Sequence, residues 1–239
     1  MNKSTLKNFE KGLEELRQRE LTLRSLTPDQ RRSFELCEKF GYHRVGGFDK
    51  QTGLAWACWK PRGEMFHIYT TGGKPAYNHT FPEVREFRHK RAVVHDGVGW
   101  RFHIKPDGTP AYEKRFVSVG HFFSGLADVK DENSCYHIIP NGEPAYENRF
   151  KEVGHFCYGL ASAYDEHGWC HIAGNGQPLY KERFLFTAPF DSQGTACVEA
   201  LVISKESKNP HKSRLNINRQ GKILNLPDGS TLVTPPQKF

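Results

Sequence analysis

The chain begins with a helical pattern of apolar residues and continues as short apolar runs separated by turn residues. From residue 4 to residue 24, apolar side chains recur at helical spacing, at Leu6, Phe9, Leu13 and Leu16. Thr27 followed by Pro28 is typical of an N-cap with proline at the first helical position, and it predicts a second helix that ends before Gly41. We expect these helices to cover the first open edge of a β array, because uncovered sheet edges invite aggregation.

A tandem repeat of about 34 residues follows the helices. A His-Ile pair recurs at His67, His103, His137 and His171, in steps of 36, 34 and 34 residues. Each pair is followed by a turn, a proline and an aromatic residue, and the best copies read HIKPDGTPAYEKRF, HIIPNGEPAYENRF and HIAGNGQPLYKERF. Asn216-Ile217 replaces the pair in a fifth, degenerate copy, after an insertion that lengthens the step to 45 residues. Degenerate terminal units are expected of repeat arrays.

Each repeat unit has the pattern of short strands joined by tight turns. Runs such as Leu126-Ala127-Asp128-Val129 are of strand length, and Pro106-Asp107-Gly108 is typical of a turn. The proline two residues after the turn glycine cannot donate to a ladder, so we expect it at a strand start or edge. The sequence therefore predicts a mainly β fold of tandem three-stranded repeats, either a solenoid or a small propeller-like array. We expect a helical cap over residues 1–41 and a β-repeat domain of about five units over residues 42–239.

Two repeated blocks carry a resemblance to a known family. The blocks Phe122-Phe123-Ser124-Gly125-Leu126-Ala127 and Trp169-Cys170-His171-Ile172, with Gly176 after them, resemble the bacterial WG-repeat family. The resemblance covers residues 45–225, but no glycine follows Trp100 or Trp169 at the slot that names the family. It implies a β-repeat module for binding or scaffolding without general enzymatic activity, and it supplies no functional residues.

The composition adds expectations about compartment and redox state. No stretch approaches the roughly 18 apolar residues of a membrane helix, and a charged run rather than an apolar signal core follows Met1. We expect a cytoplasmic protein without a membrane span, and secretion by a dedicated system stays open. The six cysteines form no CxxC pair and occupy no common slot of the repeat, so we expect reduced thiols rather than a disulfide framework or a zinc ribbon.

The net charge of +7 is concentrated at the two ends of the chain. Residues 45–200 carry 17 Lys and Arg against 18 Asp and Glu, whereas residues 201–239 carry 7 against 2. A nucleic-acid partner is therefore not expected for the repeat body, although it stays open for the basic C-terminal segment. The inserted segment, residues 204–214, is interpreted as a long basic loop that costs little folding free energy. Its candidate partner-binding residues are Lys205, Lys208, Lys212 and Arg214.

Two further sets of repeated residues have both a functional and a structural interpretation. An arginine follows the repeated tyrosine at Arg115, Arg149 and Arg183. A ladder of these arginines would bind phosphates or carboxylates if it faced solvent, and it would tie units together otherwise. The repeated histidines would form a ring of metal ligands only if they converged, so we expect each to make the same structural hydrogen bond and predict no metal.

The function predicted from these features is binding rather than catalysis. We expect a scaffold that binds a protein or peptide through its loops and the surface between repeats, with no catalytic residue and no cofactor. The alternative is a protein that binds a carbohydrate or another small ligand, or an enzyme, with a pocket at a repeat interface. The tryptophans Trp56, Trp59, Trp100 and Trp169 would then stack on sugar rings, although they fit a core equally well.

Overall fold

A computed structural model describes residues 3–204 and 209–233, with the backbone alone for residues 3–10, 12–13 and 16. Its contacts separate the chain into two compact units, Met1–Phe87 and Arg88–Phe239. The boundary predicted between cap and repeats, at residue 41, is the end of the helices, whereas the contacts divide the chain after Phe87. Within the described residues, neither helix is long and apolar enough to cross a membrane.

The first unit begins with the two predicted helices, α1 (Lys3–Ser25) and α2 (Pro28–Phe40). Thr27 and Gln30 form a capping box at the start of α2, and the amide of Gly41, at φ 75°, donates to the carbonyl of Cys37 at its end. The sequence prediction of this helix and of both its ends is confirmed. The strands that follow in the described part of this unit are β1 (Arg44–Asp49), β2 (Leu54–Cys58), β3 (Met65–Tyr69) and β4 (Glu83–Val84). Helix α2 packs against β1, the outer strand of the antiparallel sheet β1-β2-β3.

The second unit contains strands only, within its described residues. They are β5 (Ala92–His95), β6 (Arg101–Ile104), β7 (Ser118–Val119), β8 (Ala127–Lys130), β9 (Cys135–Ile138), β10 (Glu152–Val153), β11 (Leu160–Tyr164), β12 (Trp169–Ala173), β13 (Phe186–Thr187), β14 (Thr195–Ile203), β15 (His211–Asn218) and β16 (Thr231–Val233). Strands β7-β8-β9 and β10-β11-β12 form three-stranded antiparallel sheets, and β5 pairs with β6. Strands β13-β14-β15 form the last sheet, in which β16 also pairs with β14. The fold is thus mainly β, built from repeated three-stranded antiparallel sheets.

One cross-strand pair fixes the same register in every repeat. The alanine at the start of the middle strand lies opposite the isoleucine of the third strand: Ala55–Ile68, Ala92–Ile104, Ala127–Ile138, Ala161–Ile172 and Ala196–Ile217. All five isoleucines are fully buried. Because a slip of one residue would turn each isoleucine to the opposite face, this pair specifies the register. It also confirms Asn216-Ile217 as the fifth copy of the His-Ile pair.

The repeated proline begins a short segment that runs back along the third strand. Pro110 forms a bridge to Ile104, and the amide of Ala111 donates to the carbonyl of His103. The equivalent bridges join Pro75 to Ile68, Pro144 to Ile138 and Pro178 to Ile172. This position needs no amide donor from the proline, so the predicted placement at a strand start is confirmed.

The inserted residues do not form the basic loop that the sequence predicts, as far as the structure describes them. Residues 211–214 belong to β15 and pair with residues 199–202 of β14, which lengthens the last hairpin. Val202 on the added part is fully buried, and β16 pairs with the same stretch of β14. The alternation of buried and exposed residues along β14 shows a strand with one covered face. This part of the insertion is therefore structural.

Candidate interaction surface

The four repeated histidines lie in the interior, each with both ring nitrogens hydrogen-bonded. Nδ1 is 2.5–2.7 Å from a tyrosine hydroxyl in the pairs His67–Tyr77, His103–Tyr112, His137–Tyr146 and His171–Tyr180. Nε2 is 2.8–3.0 Å from a backbone carbonyl oxygen, of Arg85, Gly120, Gly154 and Ala188 in the same order. No surface of the histidines is exposed. The structural hydrogen bond predicted for each repeat is confirmed.

The chemistry of the two partners fixes the protonation state of each ring. A carbonyl oxygen only accepts, so Nε2 carries the hydrogen, and in the neutral ring Nδ1 accepts from the tyrosine hydroxyl. Burial lowers the pKa of His67 and His137 to about 4 and the pKa of His103 to about 3, and it also lowers the pKa of His171. The same burial raises the pKa of each partner tyrosine. The histidines are therefore neutral near pH 7.

Each histidine connects its own strand to the strand that begins the next sheet. His137 lies in β9, whereas the carbonyl that it binds belongs to Gly154, directly after β10. Phe156 packs on the same imidazole, with ring centroids 4.5 Å apart, and the other three histidines have an equivalent phenylalanine at 4.4–4.6 Å. These contacts show that the histidines have a structural role. Among the described residues, no group of three His, Cys, Asp or Glu side chains is placed to hold a metal ion.

The predicted arginine ladder is engaged mainly within its own turns. Nη1 of Arg115 lies 2.7–3.2 Å from the carbonyl oxygens of the three preceding residues, and Arg149 and Arg183 repeat this arrangement. The guanidinium carbon of Arg115 is 3.7 Å from the ring centroid of Phe102, and that of Arg149 is 4.0 Å from that of Tyr136. In both cases the arginine closes a turn and covers an aromatic ring of its own unit.

Arg183 differs because its repeat has no aromatic residue directly before the repeated histidine. Cys170 stands where the other units have Phe102 and Tyr136. Instead, Nε of Arg183 is 2.8 Å from Oδ2 of Asp165, and both side chains are largely buried. All three arginines therefore have a role inside their units, and their predicted contribution to partner binding stays a prediction.

The predicted residues of the inserted segment are described only in part. Lys205 and Lys208 lie outside the described residues. Lys212 pairs with Leu201 across the last hairpin and is exposed, and Arg214 places Nε 3.1 Å from Oε1 of Glu199. The structure thus places Lys212 and Arg214 on a strand, and a partner for them stays a prediction.

A cleft in the first unit lies along its sheet. It has a volume of about 500 Å³, and His43, Arg44, Trp56, Cys58 and Met65 are among its lining residues. A second hollow of about 520 Å³, between α2 and the sheet, adjoins it and shares His43, Arg44 and Trp56. The guanidinium carbon of Arg44 lies 5.5 Å from the ring centroid of Trp56.

The four tryptophans differ in exposure. Trp59 is 52% exposed, and its ring centroid lies 4.4 Å from that of Tyr42. Trp56, Trp100 and Trp169 are half-buried.

In the second unit, equivalent two-residue turns join the first segment of a repeat to its middle strand. The first turn has His89 at φ 50° and Lys90 at φ 59°, and it is closed by two backbone hydrogen bonds between Arg88 and Arg91. The next two turns have Ser124-Gly125 and Tyr158-Gly159 in the same conformation. Two successive residues with positive φ are the mark of a type I′ hairpin turn.

Contacts between these turns join them into one continuous surface. The guanidinium carbon of Arg88 is 5.8 Å from the ring centroid of Phe123, and the Phe123 ring is 5.0 Å from that of His155. From the last sheet, Nη2 of Arg219 donates to the carbonyl oxygen of Tyr158. We call this surface the turn edge and define it by Arg88, His89, Lys90, Phe123, Tyr158 and Arg219.

The repeat pattern does not predict the turn edge, although part of its signal is visible in the sequence. Residues 88–91 read Arg-His-Lys-Arg, four basic or titratable side chains in succession. Their charge disappears when it is averaged over residues 45–200. The contact of Arg219 with Tyr158 joins residues 61 positions apart, and no local pattern predicts it.

Comparisons with known proteins give remote likenesses. No protein-family profile matches the chain, and no curated protein sequence matches it. Among solved structures, BamB from Moraxella catarrhalis is 8% identical, with 79% of this chain and 76% of that chain covered and a TM-score of 0.38. Hsv2 from Kluyvelomyces marxianus is 8% identical over 80% and 61%, with a TM-score of 0.43. The WD40 β-propeller domain of Doa1 is 13% identical over 78% and 70%, with a TM-score of 0.36. The strand pairing of this chain itself shows the repeated three-stranded antiparallel sheets.

Proposed function

We propose that this chain is a non-catalytic, WG-repeat-like scaffold that binds another protein through surfaces on its turns. The observation that carries the proposal is the division between interior and surface. The titratable residues of the repeat, His and Tyr, are hydrogen-bonded inside the sheets. Exposed arginine, lysine and tyrosine side chains gather on successive turns of a repeated framework. Tyrosine and arginine are the residue types that most often dominate the free energy of protein–protein binding.

The test is to identify a protein partner and reconstitute the complex from purified components. The chain, immobilised by one end, is used to capture proteins from an extract of the cells that make it. Candidates are then titrated against the purified chain by isothermal calorimetry. The proposal expects saturable binding at a defined stoichiometry. Candidates that bind the thermally unfolded chain equally well, or no saturable binding, would contradict it.

The cleft of the first unit favours a second function, binding of a small ligand. Trp56 and Arg44 offer an aromatic face and a cation beside an opening of about 500 Å³, within the size range of ligand pockets. A panel of glycans and small anions tests this function through tryptophan fluorescence. Trp56→Phe should remove the change if the ligand lies in the cleft, and Trp169→Phe, in the other unit, is the matched control. An unchanged response in Trp56→Phe would exclude the cleft as the site.

A further inference from the structure

We infer that the turn edge binds an acidic, extended segment of a partner protein. This inference rests on the proposed function and names the surface and the chemistry of the partner. It concerns residues of the second unit only. Its support comes from the charge on the turn edge, the aromatic rings beside that charge and the backbone of one turn.

The charge on the turn edge is positive and exposed. Arg88, Lys90 and Arg219 are cationic, and each of them is exposed to solvent, as is His89. The equivalent turn of the last sheet has Asp191, whose carboxylate accepts from the amides of Gln193 and Thr195. The negative charge of Asp191 is thus partly offset by backbone N–H donors of its own turn. A partner with carboxylates spaced along an extended chain complements such a surface.

Aromatic rings lie next to these cations and add apolar contact area. Tyr158 is 55% exposed, although it occupies a turn where the neighbouring repeat has Ser124. Phe123 is half-buried and already touches Arg88 and His155. An exposed tyrosine beside exposed arginines is the combination enriched at protein interfaces. The Tyr158 ring therefore offers a contact for an apolar or aromatic residue that lies between the acidic residues of the partner segment.

The backbone of the first turn carries a residue that the turn itself does not favour. Lys90 has φ 59° at the position where the next two turns have Gly125 and Gly159. A side chain with a Cβ is disfavoured in this left-handed region, whereas glycine adopts it readily. Lys90 therefore weakens the turn relative to glycine, and its charge is the property that a glycine would remove.

The same surface fits a single-stranded nucleic acid less well. Such ligands require several aromatic platforms for successive bases along a basic groove. Of the two aromatic rings that define the turn edge, Tyr158 is largely exposed, whereas Phe123 is half-buried between its two neighbours. The repeat body that carries the turns has nearly equal numbers of acids and bases, without a basic stripe.

The test uses the full chain and a displayed library of short random peptides as the probe. Peptides selected on the wild-type chain are synthesised, and their affinity is measured by fluorescence anisotropy at low and high salt. The inference expects peptides rich in Asp and Glu whose binding weakens as salt rises. Arg88→Glu and Arg219→Glu should each weaken binding at least about fivefold, the loss expected of an interface residue that contributes about 1 kcal/mol.

A combined variant separates binding from folding. His89→Ser with Lys90→Gly gives the first turn the residues of the second, so the melting temperature should rise by roughly 2–4 °C while acidic peptides bind more weakly. Lys130→Glu reverses an exposed charge at the end of β8 opposite to the turn Ser124-Gly125 and is the matched control, with unchanged affinity expected.

Three outcomes would overturn the inference, and they can be told apart. Selected acidic peptides whose affinity is unchanged by the turn variants would leave the proposed function intact and move the site elsewhere. An absence of any selected peptide would count against both proposals. Oligothymidylate binding that depends on Arg88 and Arg219, without peptide binding, would replace the protein partner by a nucleic acid.

Discussion

A fully buried histidine needs a partner for each ring nitrogen, because an unsatisfied polar group in the interior costs about 1–3 kcal/mol. At His137 the partners are the hydroxyl of Tyr146 and the carbonyl of Gly154. The first comes from the connection that leaves the sheet and the second from the start of the next sheet. One side chain thus joins three segments. The slot therefore suits histidine better than an apolar residue of similar size.

The first prediction concerns this network. His137→Ala should lower the free energy of unfolding by about 3 kcal/mol or more, because it leaves a cavity and two unsatisfied partners. Tyr146→Phe removes only the hydroxyl and should lower it by about 1–2 kcal/mol. Urea unfolding followed by tryptophan fluorescence measures both values. Equal losses in the two variants would contradict a contribution from the imidazole ring beyond its bond with Tyr146.

The second prediction concerns pH. The pKa of a histidine in the unfolded chain is about 6.5, whereas burial holds the pKa of His67 and His137 at about 4 and that of His103 at about 3. Below pH 6.5 the unfolded chain therefore binds more protons than the folded chain. The stability should be nearly constant between about pH 7 and pH 8 and should fall between about pH 6.5 and pH 4, by up to roughly 1.4 kcal/mol per pH unit for each histidine.

The matched control for this pH dependence is His137→Gln, which keeps a polar side chain that does not titrate. Its stability should fall less steeply over the same range, because one titrating group is lost. Asp96, Asp107 and Asp131 have a pKa below the ordinary value of a carboxyl group, so they contribute mainly below about pH 4. An unchanged slope in His137→Gln would contradict the assignment to the buried histidines.

Sequence reasoning at this scale predicts a structural histidine but not its partners. Proximity along the chain pairs the repeated Tyr112, Tyr146 and Tyr180 with the arginines that follow them. The structure directs their hydroxyls to the histidines and leaves the arginines on turn carbonyls. A bond to a backbone carbonyl 17 residues away leaves no trace in side-chain identity.

At the scale of the element, an aromatic ring packs against a turn glycine in successive units. A Cβ on Gly142, Gly176 or Gly221 would lie 2.5–2.6 Å from the ring of Tyr112, Tyr146 or Tyr180. In the first unit the same relation joins Gly73 to Phe40, from the last turn of α2. The helix therefore supplies the aromatic ring that a preceding repeat would otherwise supply. At this contact, α2 packs against the first sheet as a preceding repeat would, which is the role expected of the predicted helical cap.

The third prediction compares two glycines of almost equal φ. Gly176 (φ 75°) lies against Tyr146, whereas a Cβ on Gly159 (φ 82°) would meet no heavy atom within 4 Å apart from its own chain neighbours. Gly159→Ala should cost about 1–2 kcal/mol, the backbone penalty alone. Gly176→Ala should cost about 1–3 kcal/mol more, because the methyl group overlaps the ring. Thermal unfolding of both variants measures the difference, and equal losses would contradict the packing.

The last hairpin illustrates why an insertion is difficult to interpret from its composition. The residues Lys212-Ser213-Arg214 are polar, so their composition predicts a loop that continues from the lysines before them. In the structure they form one strand of a pair whose covered face comes from Ala200 and Val202 on β14. A strand with one buried neighbour and a solvent-facing surface needs few apolar residues of its own. In this part of the hairpin, the buried side chains belong to the partner strand β14, so the polar residues themselves do not show that they form a strand.

At the scale of the whole molecule, the period of the sequence predicts the architecture better than the site. The spacing of His-Ile pairs and turn glycines indicates the number of units and the degenerate fifth copy, because each unit repeats the same local chemistry. The turn edge combines residues from four turns, at positions 88 to 219, and average charge hides it. Repetition therefore predicts the repeated sheets, and two departures from repetition, Lys90 and Tyr158, lie on the surface for which we propose binding.

The fourth prediction uses the cysteines, which are spread over both units, as probes of local opening. All six are free thiols in the described residues; Cys58, Cys135 and Cys170 are buried, and Cys37, Cys157 and Cys197 are half-buried. Burial raises the pKa of Cys37 and Cys135, and it raises that of Cys170 to about 11, so little reactive thiolate forms there. In the native protein, alkylation followed by mass spectrometry should therefore modify Cys157 and Cys197 first.

The buried thiols should react only when their sheets open, so the rate at Cys170 should follow the global stability. His137→Ala should therefore accelerate modification of Cys170, while the half-buried Cys157 should change much less. After denaturation without reductant, all six thiols should be modified, in agreement with a fully reduced sample. Fewer than six would reveal a disulfide and contradict the prediction from the sequence. Equal native rates at Cys170 and Cys157 would contradict the packing of β12, because Cys170 has no exposed surface there.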